Sequence, residues 1–170
     1  RAAGLRLAES SLAKGDQKLI KAVLTLAGDG NWQVRLQAAA TLGALPDAAR
    51  TQPMIALLSV HGDDPVLVDA ALSGLKGNEL PVLTALAAAR AAPREAVAML
   101  AGALAKRRDA ATGQQLVALA ARDDLPAPVR TALLDGLALG FAGGAQTGGN
   151  AVAGGRAGGN IPGVSRQRGG

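Results

Sequence analysis

The chain has 170 residues, a net charge of +5, 49% apolar content and 1% aromatic content, and no cysteine. The missing cysteine excludes disulfides, thiolate metal sites and a cysteine nucleophile within these residues. A core of Ala, Leu and Val, with Trp32 and Phe141 as the aromatics, suits stacked helices better than a sheet, which favours aromatic and β-branched residues.

The chain opens on Arg1 with no initiator Met and no signal-like segment, so it is expected to be a piece of something longer. Residues 1–12 form an amphipathic helix with Leu5, Ala8 and Leu12 on one side, the second helix of a repeat whose first lies upstream. Gly15 breaks the chain, and Asp16 caps the helix of DQKLIKAVLTLAG. Gly28 stops it, and Asn31 caps NWQVRLQAAATLGAL, residues 31–45. There Val34, Ala38, Leu42 and Leu45 recur at helical steps, and Ala38, Ala39, Ala40 and Gly43 are small enough to admit a neighbouring backbone. Leu45-Pro46-Asp47 is a turn, with Asp47 as N-cap of a helix through about Val60.

His61 to Pro65 resets the chain, with Pro65 in the first turn of a helix from Val66 to Lys76 that ends at Gly77. Asn78 caps a helix from about Glu79 to Arg90, with Pro81 in its first turn. Pro93 starts PREAVAMLAGALAKRR, closed by Lys106, Arg107 and Arg108 against the negative end of its dipole. Asp109 or Thr112 caps the helix of Leu116, Val117, Leu119 and Ala120. Asp123 to Pro128 turns, and a last helix runs from Val129 to about Leu139. The prediction is an all-α domain over residues 1–139, a leading helix followed by four helix pairs. The Gly-rich segment 140–170 is expected to be a flexible, disordered linker or tail, packing at most near Phe141 or through Ile161 and Val164. No apolar run reaches the length of a membrane span; the longest candidate, 132–145, contains Asp135 and several glycines.

The pattern of the 31–45 helix returns. In DDPVLVDAALSGL, Leu67, Ala71 and Leu75 fall on Val34, Ala38 and Leu42, each 33 positions on. In DLPAPVRTALLDGL, Val129, Arg130, Leu133 and Leu137 fall on Val34, Arg35, Ala38 and Leu42. A period in the low thirties with one helix pair per period reads as an α-solenoid, in which no unit buries its apolar face alone.

The order Asp or Asn, a Pro-like position, Val-Arg, then Ala and Leu at helical steps resembles HEAT repeats. It is carried by Asn31–Leu42, Asp64–Leu75 and Asp124–Leu137 and extends over residues 1–139. Val68 replaces the arginine in the second copy, and the copy around Pro93 is degenerate. The resemblance implies that the second helix of each pair, at 32–45, 65–76, 93–106 and 128–139, lines a concave side. GLRLAE at 4–9, VRLQAAATLGAL at 34–45, DAALSGL at 69–75 and ALLDGLA at 132–138 are also similar to the helical region of large exported bacterial dehydrogenase-like proteins. In those, a β-propeller resembling pyrroloquinoline-quinone sugar dehydrogenases precedes that region and a c-type cytochrome follows. This narrower resemblance implies a periplasmic or exported setting, with redox chemistry in modules outside this chain, which has no CxxCH.

Candidate chemistry is sparse. His61 stands alone beside turn carboxylates and reads as an exposed turn histidine. Asp63/Asp64 and Asp123/Asp124 precede helices, where capping accounts for them. Arg35 and Arg130 read as ladder arginines bonding loop carboxylates or carbonyls of the adjoining repeat, with anion recognition along a groove as the alternative. Lys106-Arg107-Arg108 suits a helix C-terminus, and Trp32 either fills a first-turn position or anchors a partner. The glycine tail has no Gly-Lys-Ser/Thr, and Ser10, Ser11, Ser59, Ser73 and Ser165 offer no nucleophile elbow. No catalytic, cofactor-binding or metal-binding residue is assigned.

The all-α reading therefore predicts a non-catalytic scaffold for protein–protein contact or domain spacing, its contacts on the concave face at Gln33, Gln37, Asp69, Arg94 and Arg130. The partner is another protein or a neighbouring domain of the parent chain. The alternative is the connecting region of an exported oxidoreductase. A second alternative is an electrostatic binder of anions or nucleic acid through Arg156, Arg166 and Arg168. Stacking aromatics argue against this last reading by their scarcity, and so does charge: all 13 acidic residues precede Gly140 and nearly balance the basic residues there.

Overall fold

A computed structural model of the chain describes residues 1–75 and 77–142; the expectations for Lys76 and for residues 143–170, including Ile161 and Val164, lie outside the described residues. Among the described residues all secondary structure is helical. In order the helices are α1 (Ala2–Leu12), α2 (Gln17–Ala27), α3 (Trp32–Leu42), α4 (Asp47–His61), α5 (Pro65–Leu75), α6 (Glu79–Ala87), α7 (Arg94–Lys106), α8 (Ala110–Ala120) and α9 (Ala127–Ala142).

The helix starts follow from side-chain chemistry at most of the expected positions. Asp16 accepts hydrogen bonds from the backbone N–H of Lys18 and Leu19, and Asn31 from those of Gln33 and Val34. Asp64 Oδ1 accepts from Val66 and Leu67, so the carboxylate satisfies two of the donors an α-helix leaves unpaired. Asp109, rather than Thr112, caps α8 by accepting from the Thr112 N–H at 2.7 Å.

Three expected caps are corrected. Asp47 is the first residue of α4 and pairs with Arg50 at 2.8 Å instead of capping. Asn78 makes no cap bond; its Nδ2 turns back and donates to the Leu75 carbonyl, closing α5 rather than opening α6. Asp124 holds Arg122 by two hydrogen bonds and leaves the start of α9 alone. The ends also shift. Helix α3 stops at Leu42, α6 stops at Ala87, and α9 begins earlier and continues through Gly140 and Phe141 to Ala142.

Helix α7 is capped across the chain. Pro93 has no side-chain oxygen to offer, so the Ala96 N–H donates to the carbonyl of Gly62 at 2.8 Å. Gly62 sits against Pro93, where an added Cβ would lie 2.8 Å from the Pro93 Cβ.

One continuous core runs through all the helices, from Leu5 and Leu12 through Leu42, Met54, Leu75 and Leu100 to Leu133. The odd-numbered helices pack on one another in order, α1 on α3, α3 on α5, α5 on α7 and α7 on α9. Each of α2, α4, α6 and α8 packs on the odd-numbered helix that follows it. Two odd-numbered contacts close backbone to backbone. A Cβ added at Gly43 would lie 2.5 Å from the Gly74 Cα. One added at Gly140 would lie 2.6 Å from the Gly102 carbonyl oxygen, and one at Gly136 would strike the Ala98 carbonyl. Only glycine lets α3 meet α5, and α7 meet α9, at these separations.

Candidate interaction surface

The exposed sides of the odd-numbered helices form a furrow that brings together most of the residues singled out from the sequence. Between α1, α3 and α5 it is lined by Arg6, Trp32, Gln33, Gln37, Val66 and Asp69, with a volume of about 580 Å³. Asp69 also lines its continuation between α5, α7 and α9, about 780 Å³, with Leu72, Glu79, Glu95, Met99 and Leu139. Arg94 lies on the flank of this second stretch, with Asp63, Glu95 and Asp135. Arg130 is not gathered with the others; it stays beside its own loop, 3.5 Å from Asp123.

These candidates are not equally free. Arg6 Nε donates to Gln37 Oε1 at 2.6 Å, Gln37 Nε2 donates to Thr41 Oγ1, and the Thr41 hydroxyl donates to Glu9. Gln37 is thus one link of a polar chain that ties α1 to α3 around the fully buried Thr41. Gln33 and Asp69 are exposed, and their side chains make no hydrogen bond among the described residues.

The two repeat arginines turn inward to their own loops. Arg35 Nη1 donates to the Asp29 carbonyl at 2.8 Å, and Arg130 pairs with Asp123, each in the turn that precedes its helix. Their direct bonds go to the turn before their own helix rather than to the adjoining repeat, while the Arg35 charge also acts on Asp64 and His61 of the next turn. Trp32 makes one of the bonds between repeats. Its ring is 41% exposed, but its Nε1–H donates to Asp64 Oδ2, the carboxylate that caps α5. That hydrogen bond is the first cause holding the Asp64 carboxyl below its usual range, reinforced by the Leu67 and Val66 N–H groups.

Two buried charged residues escaped the sequence reading. Arg50, 5% exposed, donates to the Leu45 carbonyl at 2.7 Å and reaches the Leu75 carbonyl, placing a cation at the C-terminal ends of α3 and α5. Glu79, 4% exposed, is held by Arg107 through Oε1, while its Oε2 has no hydrogen-bond partner among the described residues. Both carried a signal. Arg50 shares a helical stripe with the buried Met54, Leu57 and Leu58, and Glu79 with Val82, Leu83 and Leu86.

The basic triplet 106–108 is largely spent within the fold. Arg107 pairs with Glu79, and Arg108 adopts φ +53° to end α7 while its Nη2 donates to the Phe141 carbonyl near the end of α9. His61 ends α4 beside an apolar groove lined by Leu24, Ala27, Pro53 and Val60. Burial pushes its pKa down, the Arg35 charge pushes it further, and Asp64 opposes both. Among the described residues no group of three or more His, Asp or Glu is placed to hold a metal, and no helix is long and apolar enough to cross a membrane. What the furrow offers chemically is carboxylates, amides and the cations of Arg6, Lys106 and Arg107 above an aliphatic floor. Comparison with protein-family models, with curated proteins and with solved structures finds no match. The likenesses to HEAT repeats and to dehydrogenase-associated helical regions therefore rest on the residues that carry them.

Proposed function

We propose that the chain is a non-catalytic helical-repeat scaffold, HEAT-like in its pairing of helices, which uses the furrowed face of α3, α5, α7 and α9 to hold another protein or a neighbouring module of its parent chain. The observation that carries this reading is the ordered stacking of the odd-numbered helices, closest where Gly43 meets Gly74 and where Gly136 and Gly140 meet Ala98 and Gly102. Helices that approach more closely on one side of a two-layer array place that side on the inside of any bend. A concave face lined by α3, α5, α7 and α9 is also what the HEAT likeness implies for residues 32–45, 65–76, 93–106 and 128–139. A wide furrow with an aliphatic floor suits a polypeptide better than a small molecule, which is usually enclosed on most of its surface.

Photo-crosslinking from single positions tests the reading. A benzophenone side chain at Gln33 or Asp69 samples the furrow, and one at Gln52 or Val60 samples the even-numbered helices. Crosslinks to protein in the cells of origin should come several-fold more from the first pair. Equal yields, or yields dominated by Gln52 and Val60, would defeat it.

A further inference from the structure

The furrow between α5, α7 and α9 carries charge of the opposite sign to the chain. The whole protein has a net charge of +5, yet the residues of this stretch and its flank include the carboxylates Asp63, Asp69, Glu79, Glu95 and Asp135 against Arg94, Lys106 and Arg107. Among the described residues Asp63, Asp69, Glu95 and Asp135 enter no ion pair, whereas Arg107 is already bound to Glu79. Glu79 adds an independent observation. It lines this furrow, it is almost wholly buried, and beside the Oε1 held by Arg107 its Oε2 has no donor among the described residues. A buried carboxylate oxygen left short of a hydrogen bond is the expense a fold avoids unless something supplies the donor.

We propose that this stretch receives a basic segment of a partner polypeptide, whose Lys or Arg side chains meet Asp69, Glu95 and Glu79. The proposal rests on the functional reading above and names the chemistry of its partner. Arg and Lys have the two halves the furrow asks for. Their ammonium or guanidinium heads supply several donors to carboxylates, and their aliphatic stems lie along apolar surface, here Leu72, Met99 and Leu139, the last 70% exposed. Low-dielectric walls strengthen the attraction compared with open water. A phosphate-bearing partner would meet these carboxylates with repulsion. A metal ion would need ligands converging on one point, and these side chains sit apart on α5, α6 and α7.

The test is fluorescence anisotropy of a labelled oligo-arginine peptide, with an oligo-glutamate peptide of the same length as comparator, titrated with the full chain at low and raised salt. Because the chain is net positive, binding of a polycation requires a local acidic surface. Oligo-arginine should bind, more weakly as salt rises, and the comparator should bind less. The pair Asp69→Asn and Glu95→Gln should weaken oligo-arginine at least several-fold. The charge-matched pair Asp123→Asn and Asp124→Asn, on the α8–α9 turn, should leave it within about twofold, since mean charge acts weakly through screened solvent. Circular dichroism melts confirm that each variant is folded; if the furrow pair is not, Glu95→Gln alone is read. No binding at low salt, equal losses in both pairs, or preference for oligo-glutamate would overturn the proposal. Binding that emerges only after removal of residues 143–170 would overturn it in favour of the chain's own arginines. A dimer dissolved by the furrow variants would do so in favour of a second copy. If oligo-arginine fails while photo-crosslinks still gather at Gln33 and Asp69, the basic partner falls and the scaffold stands; if those crosslinks also vanish, both fall.

Discussion

The two sets of helices are both rich in Ala and Leu and pack in different ways. Successive odd-numbered helices meet at glycine and alanine, with backbones close enough that a single added carbon has no room at Gly43 or Gly136. Along the even-numbered side, α4 meets α6, but between α2 and α4 lies an apolar groove of about 500 Å³ lined by Leu24, Pro53, Leu57 and Val60. Aliphatic side chains fill space without fixing a distance, whereas glycine pairs set one. The placement of a few small residues, not hydrophobicity as such, sets how closely successive odd-numbered helices approach.

The contrast is broken most severely from the core between the layers. Leu42 is fully buried, so Leu42→Asp, which puts a charge into a dry helix interface, should unfold the middle of the array. Leu75→Ala, also at a fully buried site, should cost about 2–5 kcal/mol, the transfer loss plus a cavity that a chain of stiff contacts cannot collapse. Urea unfolding measures both. A Leu42→Asp protein that melts with the wild type would mean that this face is not packed.

The glycine contacts sharpen the comparison. Gly136→Val should cost about 1–3 kcal/mol, because its Cβ meets the Ala98 carbonyl and the Ala101 side chain and α7 must move from α9. Gly113→Ala, in α8 where nothing lies within 4 Å of the added carbon, should instead stabilise by about 0.5–1 kcal/mol through helix propensity alone. Opposite signs from two glycine substitutions would be hard to obtain if both sides packed alike. Leu24→Ser, on the groove side and 41% exposed, should change stability by less than about 0.5 kcal/mol.

How much of this was legible in the residues follows from where each interaction lives. The helices were legible because Val34, Ala38 and Leu42, or Leu67, Ala71 and Leu75, state their period locally, and because Asp16, Asn31 and Asp109 cap within a few residues of their own chain. The Ala96–Gly62 bond and the Trp32–Asp64 bond were not legible, since each joins residues about one repeat apart and neither leaves a local pattern. Gly43 announced a close neighbour, but its partner proved to be Gly74, not a residue at the repeat offset. Arg50 and Glu79 were overlooked because a charge in an apolar stripe looks like a break in it; each instead begins the stripe and reaches a carbonyl or a cation. Gln33, Gln37 and Asp69 line one stretch of the furrow, but that Gln37 is engaged with Arg6 depends on α1, which the period alone does not position.

A further expected effect concerns the polar link within the closely packed side. Trp32→Phe keeps an aromatic ring against the repeat and removes the Nε1–H that Asp64 accepts, so at neutral pH it should cost about 0.5–1.5 kcal/mol, the net worth of one hydrogen bond. Its pH dependence separates that bond from lost packing. In the wild type the Asp64 carboxyl is held below its ordinary value, first by Trp32, so the folded state binds fewer protons than the unfolded chain as both titrate. The stabilisation is therefore complete above the ordinary carboxylate pKa, about 3.9, and is lost as pH falls through the lower folded value. In the Phe variant the largest cause of the shift is gone, and that part of the acid slope should flatten. Urea unfolding followed by circular dichroism from neutral pH down to about pH 3 should show the two proteins converging as acid is added. A difference that stays constant across the range would assign the effect of Trp32 to its ring, and the joint between α3 and α5 would then owe nothing to this hydrogen bond.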